Sequence, residues 1–248
     1  MITIEHSWDR MAEAYEQFTS GEDSYSSKIE WPCIQKMLPD LSEKSVIDLG
    51  CGTGRFTFLL ENKNPAKIIG IDLSDDMLKL AKAKAKKIAS TAVFYKGDIS
   101  KSFTDEKFDF IFSSTVSHYI KDLNKLFSNI YDMLKPDGIC VISAMNPVYT
   151  SQYPISKDED FPDDSEWTVR YLDRRERSYI QPWIEYNSSI ENFLSSSYHH
   201  TFSDYINSMI QCGFSIMETQ EPLPPEEWME NCLERYNAFI ETPKLFDN

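Results

Sequence analysis

Residues 46–54 read Val-Ile-Asp-Leu-Gly-Cys-Gly-Thr-Gly. An apolar stretch, Ser45–Leu49, runs into a turn, Gly50–Gly54, and Arg55–Glu61 then has the character of a helix. Glycines at alternate positions allow positive φ and a close approach of backbone to a ligand. A short buried strand, a glycine turn and a helix in that order form the opening unit of a doubly wound α/β sheet. In such sheets ligands bind outside the carboxyl ends of the strands, near the point where strand order reverses.

The following sequence repeats the rhythm. Lys67–Ile71, Ala92–Lys96, Phe108–Ser113 and Ile139–Met145 read as strands. Between them, Ser74 caps a helix reaching about Ala89, with Met77, Leu78, Ala81, Ala85 and Ile88 on its inner face. Leu123–Leu134 is a second such helix, closed by Lys135-Pro136-Asp137-Gly138. Strands apolar on both faces, alternating with helices, predict a mainly parallel sheet with helices on both sides. The expected fold class is therefore α/β, Rossmann-like and doubly wound.

The flanking segments complete the plan. Residues 7–20 predict a helix carrying Trp8, Met11, Ala12, Tyr15 and Phe18 near one face, and 27–38 a second helix broken around Pro32. After Met145 the rhythm stops. Residues 146–200 hold Pro147, Pro154, Pro162 and Pro182, an acidic loop Asp158–Glu166 and many aromatics, which predicts an insertion over the sheet edge with a hairpin within 167–196. Helix Phe202–Gln211, a Cys212-Gly213 cap, strand Phe214–Thr219 and helix Glu226–Ile240 are expected next. The chain divides into an N-terminal helical cap (1–40), a core (41–146), a lid (147–200) and a C-terminal part of the core (201–248). Residues 241–248 leave little room for a seventh strand; Lys244–Phe246 is short, so that strand is expected to be short or missing.

Composition excludes several functions. The 248 residues carry a formal charge of −15, which repels phosphate backbones and argues against nucleic acid as a partner. Lys82–Lys87 reads as the solvated face of a helix. No apolar run has the length of a membrane span, and the N-terminus lacks the basic start and apolar stretch of a secretory signal. Five cysteines at 33, 51, 140, 212 and 232, without CxxC spacing, predict neither a disulfide framework nor a zinc knuckle. A reducing cytoplasm is the expected location, with the chain a monomer or homodimer.

Two acids extend the glycine turn into a site. Asp72 ends the second strand and can accept both hydroxyls of a ribose. Asp98 follows the third strand, where an acid can take the exocyclic amine of adenine while Ile99 covers the ring. The pattern is that of an adenosine site. Position 55 is Arg where a dinucleotide fingerprint has its third glycine, and no GKS or GKT follows as in a P-loop.

Here the sequence resembles the class I S-adenosylmethionine-dependent methyltransferases. The likeness continues through IGIDLSDDMLKLAKAKA, GDI at 97–99, FDFIFSS at 108–114 and MLKPDGI at 133–139. With WDRMAEAYEQF and residues 198–214 it is closer to the bacterial small-molecule, ubiquinone/menaquinone-methylase-like group. The resemblance implies S-adenosyl-L-methionine as cofactor and S-adenosyl-L-homocysteine as product. It implies Gly50 and Gly52 against the methionine part with Asp48 near its amino group, Asp72 on the ribose, and Asp98 and Ile99 around adenine. Cys51, Leu73 and Met77 complete the expected cofactor contacts, and Ser114 is expected beside the transferred methyl. Tyr15 resembles the tyrosine that closes over the cofactor in this group; a core aromatic on an amphipathic helix is the equal alternative.

For catalysis, His118 lies four residues beyond Ser114, positioned as a general base or a substrate hydrogen bond, or simply packed. His199, in SYHHTFSDYI, resembles a YHRT segment that faces the pocket in related enzymes, although His200 replaces the arginine. No acid cluster accompanies Ser113, Ser114 and Asn146, so no metal is expected. Trp167, Tyr171, Tyr179, Trp183 and Tyr186 either line a substrate pocket or pack a small core, and Arg170, Arg174, Arg175 and Arg177 either meet a substrate carboxylate or are neutralised by neighbouring acids. The expected activity is metal-independent methyl transfer to N or O of a small molecule. The alternatives are a noncatalytic S-adenosylmethionine sensor or partner subunit and, less favoured, an NAD(P)-dependent oxidoreductase.

Overall fold

A computed structural model describes residues 3–21, 24–102, 104–152, 169–179, 195–241 and 245–247. Helix α1 (Ile4–Thr19) is capped by Thr3, whose hydroxyl accepts from the His6 N–H. A π-helical turn, Ser26–Glu30, leads directly into α2 (Trp31–Met37). The irregularity falls where Pro32 has no N–H to donate back along a continuous helix.

The core follows as β1 (Ser45–Leu49), α3 (Arg55–Glu61), β2 (Lys67–Asp72), α4 (Asp75–Ile88), β3 (Val93–Lys96), β4 (Phe108–Ser114), α5 (Leu123–Met133) and β5 (Leu134–Met145). Ser74 caps α4 by accepting from the Met77 N–H, and Ala89 closes it in the left-handed region. These five strands are parallel, in the order β3-β2-β1-β4-β5. Strand order reverses between β1 and β4, whose carboxyl ends are Leu49 and Ser114.

Period two along the strands sorts their side chains into two layers. Ile47, Leu49, Ile69, Ile71 and Ile111 pack against Leu126, Phe127 and Ile130 of α5. Val46, Ile68, Phe110 and Phe112 pack on the other face against Ile34 of α2 and Phe56 and Leu60 of α3. Beyond β5 come α6 (Pro147–Thr150), β6 (Glu176–Tyr179), β7 (Ser195–Tyr198), α7 (Phe202–Gln211), α8 (Glu227–Asn231), α9 (Leu233–Glu241) and β8 (Leu245–Asp247). β6 and β7 form a separate antiparallel pair, with β7 running two residues past the segment, 167–196, expected to hold a hairpin.

Several local expectations are corrected. Phe214–Thr219 is not a strand: Phe214 and Ile216 alternate onto the α5 core, but the edge of β5 is taken by β8. β8 is three residues long and antiparallel, pairing with Ser143–Met145, so among the described residues the sheet has six strands, this short one included. The helix over 226–240 breaks at Cys232, whose ψ of 59° separates α8 from α9. β5 begins at Leu134, not Ile139; the Pro-Asp-Gly stretch is absorbed as a register shift against Phe108 and Phe110. β3 is apolar but only Phe94 is buried, because an edge strand is covered on one side. Ile88, in the last turn of α4, is exposed.

Among the lid aromatics, Trp167, Trp183 and Tyr186 and the side chain of Tyr179 lie outside the described residues, as does the acidic loop 158–166. Arg174 is held by both carboxylate oxygens of Asp204, and Arg175 by Asp173. Phe127 is fully buried at the centre of the α5 layer and meets Phe214 edge-on. Phe127→Ala is expected to lower stability by about 3–5 kcal/mol, read as a shift of the urea midpoint.

Candidate active site

A cavity of about 550 Å³ opens at the carboxyl ends of β1, β2 and β4. Its floor is the glycine turn. Gly50, Gly52 and Gly54 all have positive φ, at 75°, 53° and 83°. A Cβ on Gly50 would stand 2.3 Å from Val116 Cγ2, whereas Gly52 has open space where its Cβ would be. Gly50 is therefore glycine because a neighbour fills the space, and Gly52 because the backbone itself faces the cavity in the left-handed region.

Asp72 braces this turn. Its Oδ2 accepts from the Gly52 N–H at 2.7 Å and its Oδ1 from the Ser74 N–H at 2.9 Å. Burial raises its carboxyl above the usual range, against the pull of those two N–H donors. Leu73, Met77 and Ile99 add apolar wall, and Asp98 stands further along. Burial pushes Asp98 upward, but hydrogen bonds from Lys101 and Ser100 outweigh it and hold the carboxyl below its ordinary value.

The cap is α1. Tyr15 and Trp8 line the cavity and meet edge-on at 5.5 Å; Trp8 also meets Tyr119 at 5.4 Å. Burial, with Glu30 as the second cause, raises the Tyr15 phenol and keeps it neutral. Three polar clips hold α1 in place. Glu16 accepts from the Thr53 hydroxyl at 2.6 Å and from Lys84 at 2.5 Å, Asp9 accepts from the Ser74 hydroxyl at 2.6 Å, and Glu5 pairs with Lys96. Arg55, the residue that breaks the dinucleotide pattern, donates to Ser24 and Ser27 and ties the π-turn region to α3.

At the other end stand Ser114, His118, Met145, Tyr149 and Tyr198. His118 is 4% exposed and its Nδ1 has no hydrogen-bond partner. Burial, helped by His200, pushes its pKa down to about 3, so the imidazole is neutral throughout the physiological range. Tyr25 lines the rim, stacked on Phe239, with the Arg235 guanidinium 4.8 Å from its ring and 3.9 Å from that of Trp228. The C-terminal helices thereby hold the rim.

Three expected site residues are not in the cavity wall. Asp48 lies beneath the turn, 1% exposed, accepting from Thr57 Oγ1 at 2.6 Å. Cys51 packs with Leu78, Ala81 and Phe94. His199 is fully buried with both ring nitrogens engaged, Nδ1 with Thr150 Oγ1 and Nε2 with the Tyr171 carbonyl, each at 2.8 Å; its neighbour Tyr198 faces the cavity instead. Tyr171, expected in the lid, accepts from the Phe202 N–H at the start of α7. Glu30 was not foreseen. It is 1% exposed, lines the cavity and accepts from Ser114 Oγ. The sequence held a signal: Glu30 precedes Ile34 by four residues, which places an acid on the buried stripe of a helix.

The residues fit S-adenosylmethionine. An open left-handed glycine lets the backbone meet the amino-acid part, and a braced carboxylate at the end of β2 suits a ribose diol. Comparison with known proteins agrees. The methyltransferase-domain family profile matches residues 40–197, and the chain belongs to that family of S-adenosylmethionine-dependent methyltransferases. Over 181 residues it is 31% identical to carboxy-S-adenosyl-L-methionine synthase of Wolinella succinogenes, covering 70% of each chain. It is 30% identical over 162 residues to demethylmenaquinone methyltransferase of Lactococcus lactis, covering 59% of this chain and 64% of that protein. The crystal structure of an S-adenosylmethionine-dependent methyltransferase from Mesorhizobium loti superposes with a TM-score of 0.70 at 25% identity, covering 88% of this chain and 95% of that one.

Among the described residues no group of three or more His, Cys, Asp or Glu could hold a metal ion, and no helix is long and apolar enough to cross a membrane.

Two predictions follow from the carboxylates. Asp72→Ala is expected to weaken S-adenosylmethionine binding by about 1–3 kcal/mol, measured by calorimetry. Burial raises Asp48 to about 7, against its bond from Thr57. The native state then binds a proton that the unfolded state has already lost. Stability should therefore fall as pH rises from the ordinary carboxylate range, about 4, through about 7, and then level. Asp48→Asn should flatten that fall; urea midpoints at about pH 5 and about pH 8 measure it.

Proposed function

We propose that this enzyme transfers the methyl group of S-adenosylmethionine to nitrogen or oxygen of a small molecule, without a metal. The observation that carries the reading is a single cavity running from Asp72 and Asp98 to Ser114 and His118, with an aromatic rim. In this reading residues 41–146 and 201–248 form the core, 1–40 the cap and 147–200 the lid. The bound cofactor supplies a methyl group already made electrophilic by its sulfonium. What remains for the chain is to hold a nucleophile in line, exclude water and accept a proton.

The roles follow from position. Gly50, Gly52, Asp72, Leu73, Met77, Asp98 and Ile99 hold the donor. Tyr15 and Trp8, clipped in place through α1, close over it and keep water out. His118 is neutral and buried, with an unpartnered nitrogen that accepts a hydrogen bond and so orients the acceptor, while the burial that keeps it neutral makes it a weak base. The small volume of the cavity and the acidic surface support a small acceptor over a nucleic acid.

A screen with methyl-labelled S-adenosylmethionine against amines, phenols and carboxylic acids tests this. If the donor binds but no acceptor takes up label, the noncatalytic sensor reading replaces it. His118→Ala is expected to lower kcat by about a hundredfold, with cofactor affinity nearly unchanged. Equal loss in kcat and in calorimetric affinity would make His118 structural.

A further inference from the structure

We propose that Glu30 receives the methyl acceptor, and that the acceptor's reacting group is an amine that arrives protonated and gives its proton to this carboxylate. The inference rests on the methyl-transfer reading and names the substrate class of the same site.

Glu30 sits at the last position of the π-turn and reaches the cavity beside Ser114, the end of β4. A strut between these elements needs only a neutral hydrogen-bonding side chain. An acid in that place is costly unless a cation joins it. The Arg55 charge favours the ionised Glu30, but its guanidinium donates to the Ser24 and Ser27 hydroxyls. Asp48, Asp72 and Glu16, in the same region, are acids. Of the charged residues lining the cavity, Glu30, Asp72, Asp98 and Asp122 are acids, and the two lysines are Lys121, just before α5, and Lys125, in its first turn. The same cavity is lined by aromatic rings, Tyr15, Phe18, Tyr25 and Tyr149, and Tyr15 feels the Glu30 charge directly. Aromatic faces and a buried carboxylate together favour an ammonium, which compensates the charge and meets the ring faces. A neutral hydroxyl leaves the carboxylate uncompensated, and a substrate carboxylate is repelled.

The step balances. The ammonium passes one proton to a Glu30 oxygen. The freed nitrogen pair forms the new N–C bond while the methyl's bond to sulfur breaks and leaves its pair on sulfur. One positive charge thus moves from sulfur to nitrogen, and Glu30 returns its proton to water as product leaves. Burial, the first cause of its raised proton affinity, suits Glu30 to this acceptance.

The test uses calorimetry on the full-length protein loaded with S-adenosylhomocysteine. Phenethylamine, phenethyl alcohol and phenylacetate serve as probes. The amine is expected to bind at least about tenfold more tightly than the other two. Glu30→Gln should lose that preference at unchanged S-adenosylhomocysteine affinity, and Glu30→Asp should recover part of it. The wild-type preference needs no variant, so absence of amine binding, or equal binding of all three, overturns the proposal. So does a Glu30→Gln protein that keeps its amine affinity. Weakened S-adenosylmethionine binding with S-adenosylhomocysteine spared would make Glu30 a counter-charge to the sulfonium and also overturn it. Label transferred to phenols with no amine preference would sink this proposal alone; amine binding with no transfer would sink the methyl-transfer reading together with the proton step.

Discussion

The structure depends on how the end of β2 holds the turn after β1. The Gly50 and Cys51 N–H groups donate to the Ile71 carbonyl, and the Gly52 N–H donates to Asp72. Three successive backbone donors of one turn are thus committed to two adjacent residues of the neighbouring strand. That is possible only because Gly50 and Gly52 take positive φ, where a side chain would be strained, and because Gly50 leaves Val116 its space. This end of the cavity is therefore built mostly from backbone, with little side-chain entropy left to lose on binding a ligand.

The cap obeys different physics. α1 is held over the turn by Glu16, Asp9 and Glu5, each reaching a residue that also organises the core: Thr53 in the turn, Ser74 at the α4 cap and Lys96 at the end of β3. Such partly exposed hydrogen bonds and ion pairs contribute modestly one by one. They do fix where α1 sits, and hence where Trp8 and Tyr15 stand. Met11, Ala12 and Ala14 of the same helix are fully buried, so apolar packing anchors α1 beneath these clips.

Legibility in the sequence followed periodicity. β1, α3 and α7 were readable to the residue, because an apolar run or stripe is bounded by a cap or glycine whose chemistry is local. Asp72, Asp98 and Ile99 line the cavity, and their places at or just past strand ends can be counted from the turn. The failures have the opposite character. Phe214–Thr219 alternates like a strand, yet the pairing edge it needed belongs to Leu245–Asp247, a competition between distant segments that no local pattern records. Tyr198 and His199 are neighbours, and which one faces the cavity depends on Thr150 and Tyr171 engaging the histidine. The resemblance places Asp48 by the cofactor's amino group, whereas here its carboxylate lies beneath the turn and accepts from Thr57 on α3.

Glu30 illustrates the remaining gap. Its charge on a buried stripe is visible in the sequence, but its meaning is not, since the partner is Ser114, 84 residues away. The donor end of the cavity uses neighbours within one β-turn-α unit and its adjoining strand. The acceptor end joins the π-turn, β4, α6 and β7, which meet only in three dimensions. In the proposed reading, the elements carrying Glu30, Tyr149 and Tyr198 lie outside the hydrogen-bonded glycine turn, so the acceptor end can vary while the donor end stays fixed. Glu30 is the most deeply buried ionisable group among those elements.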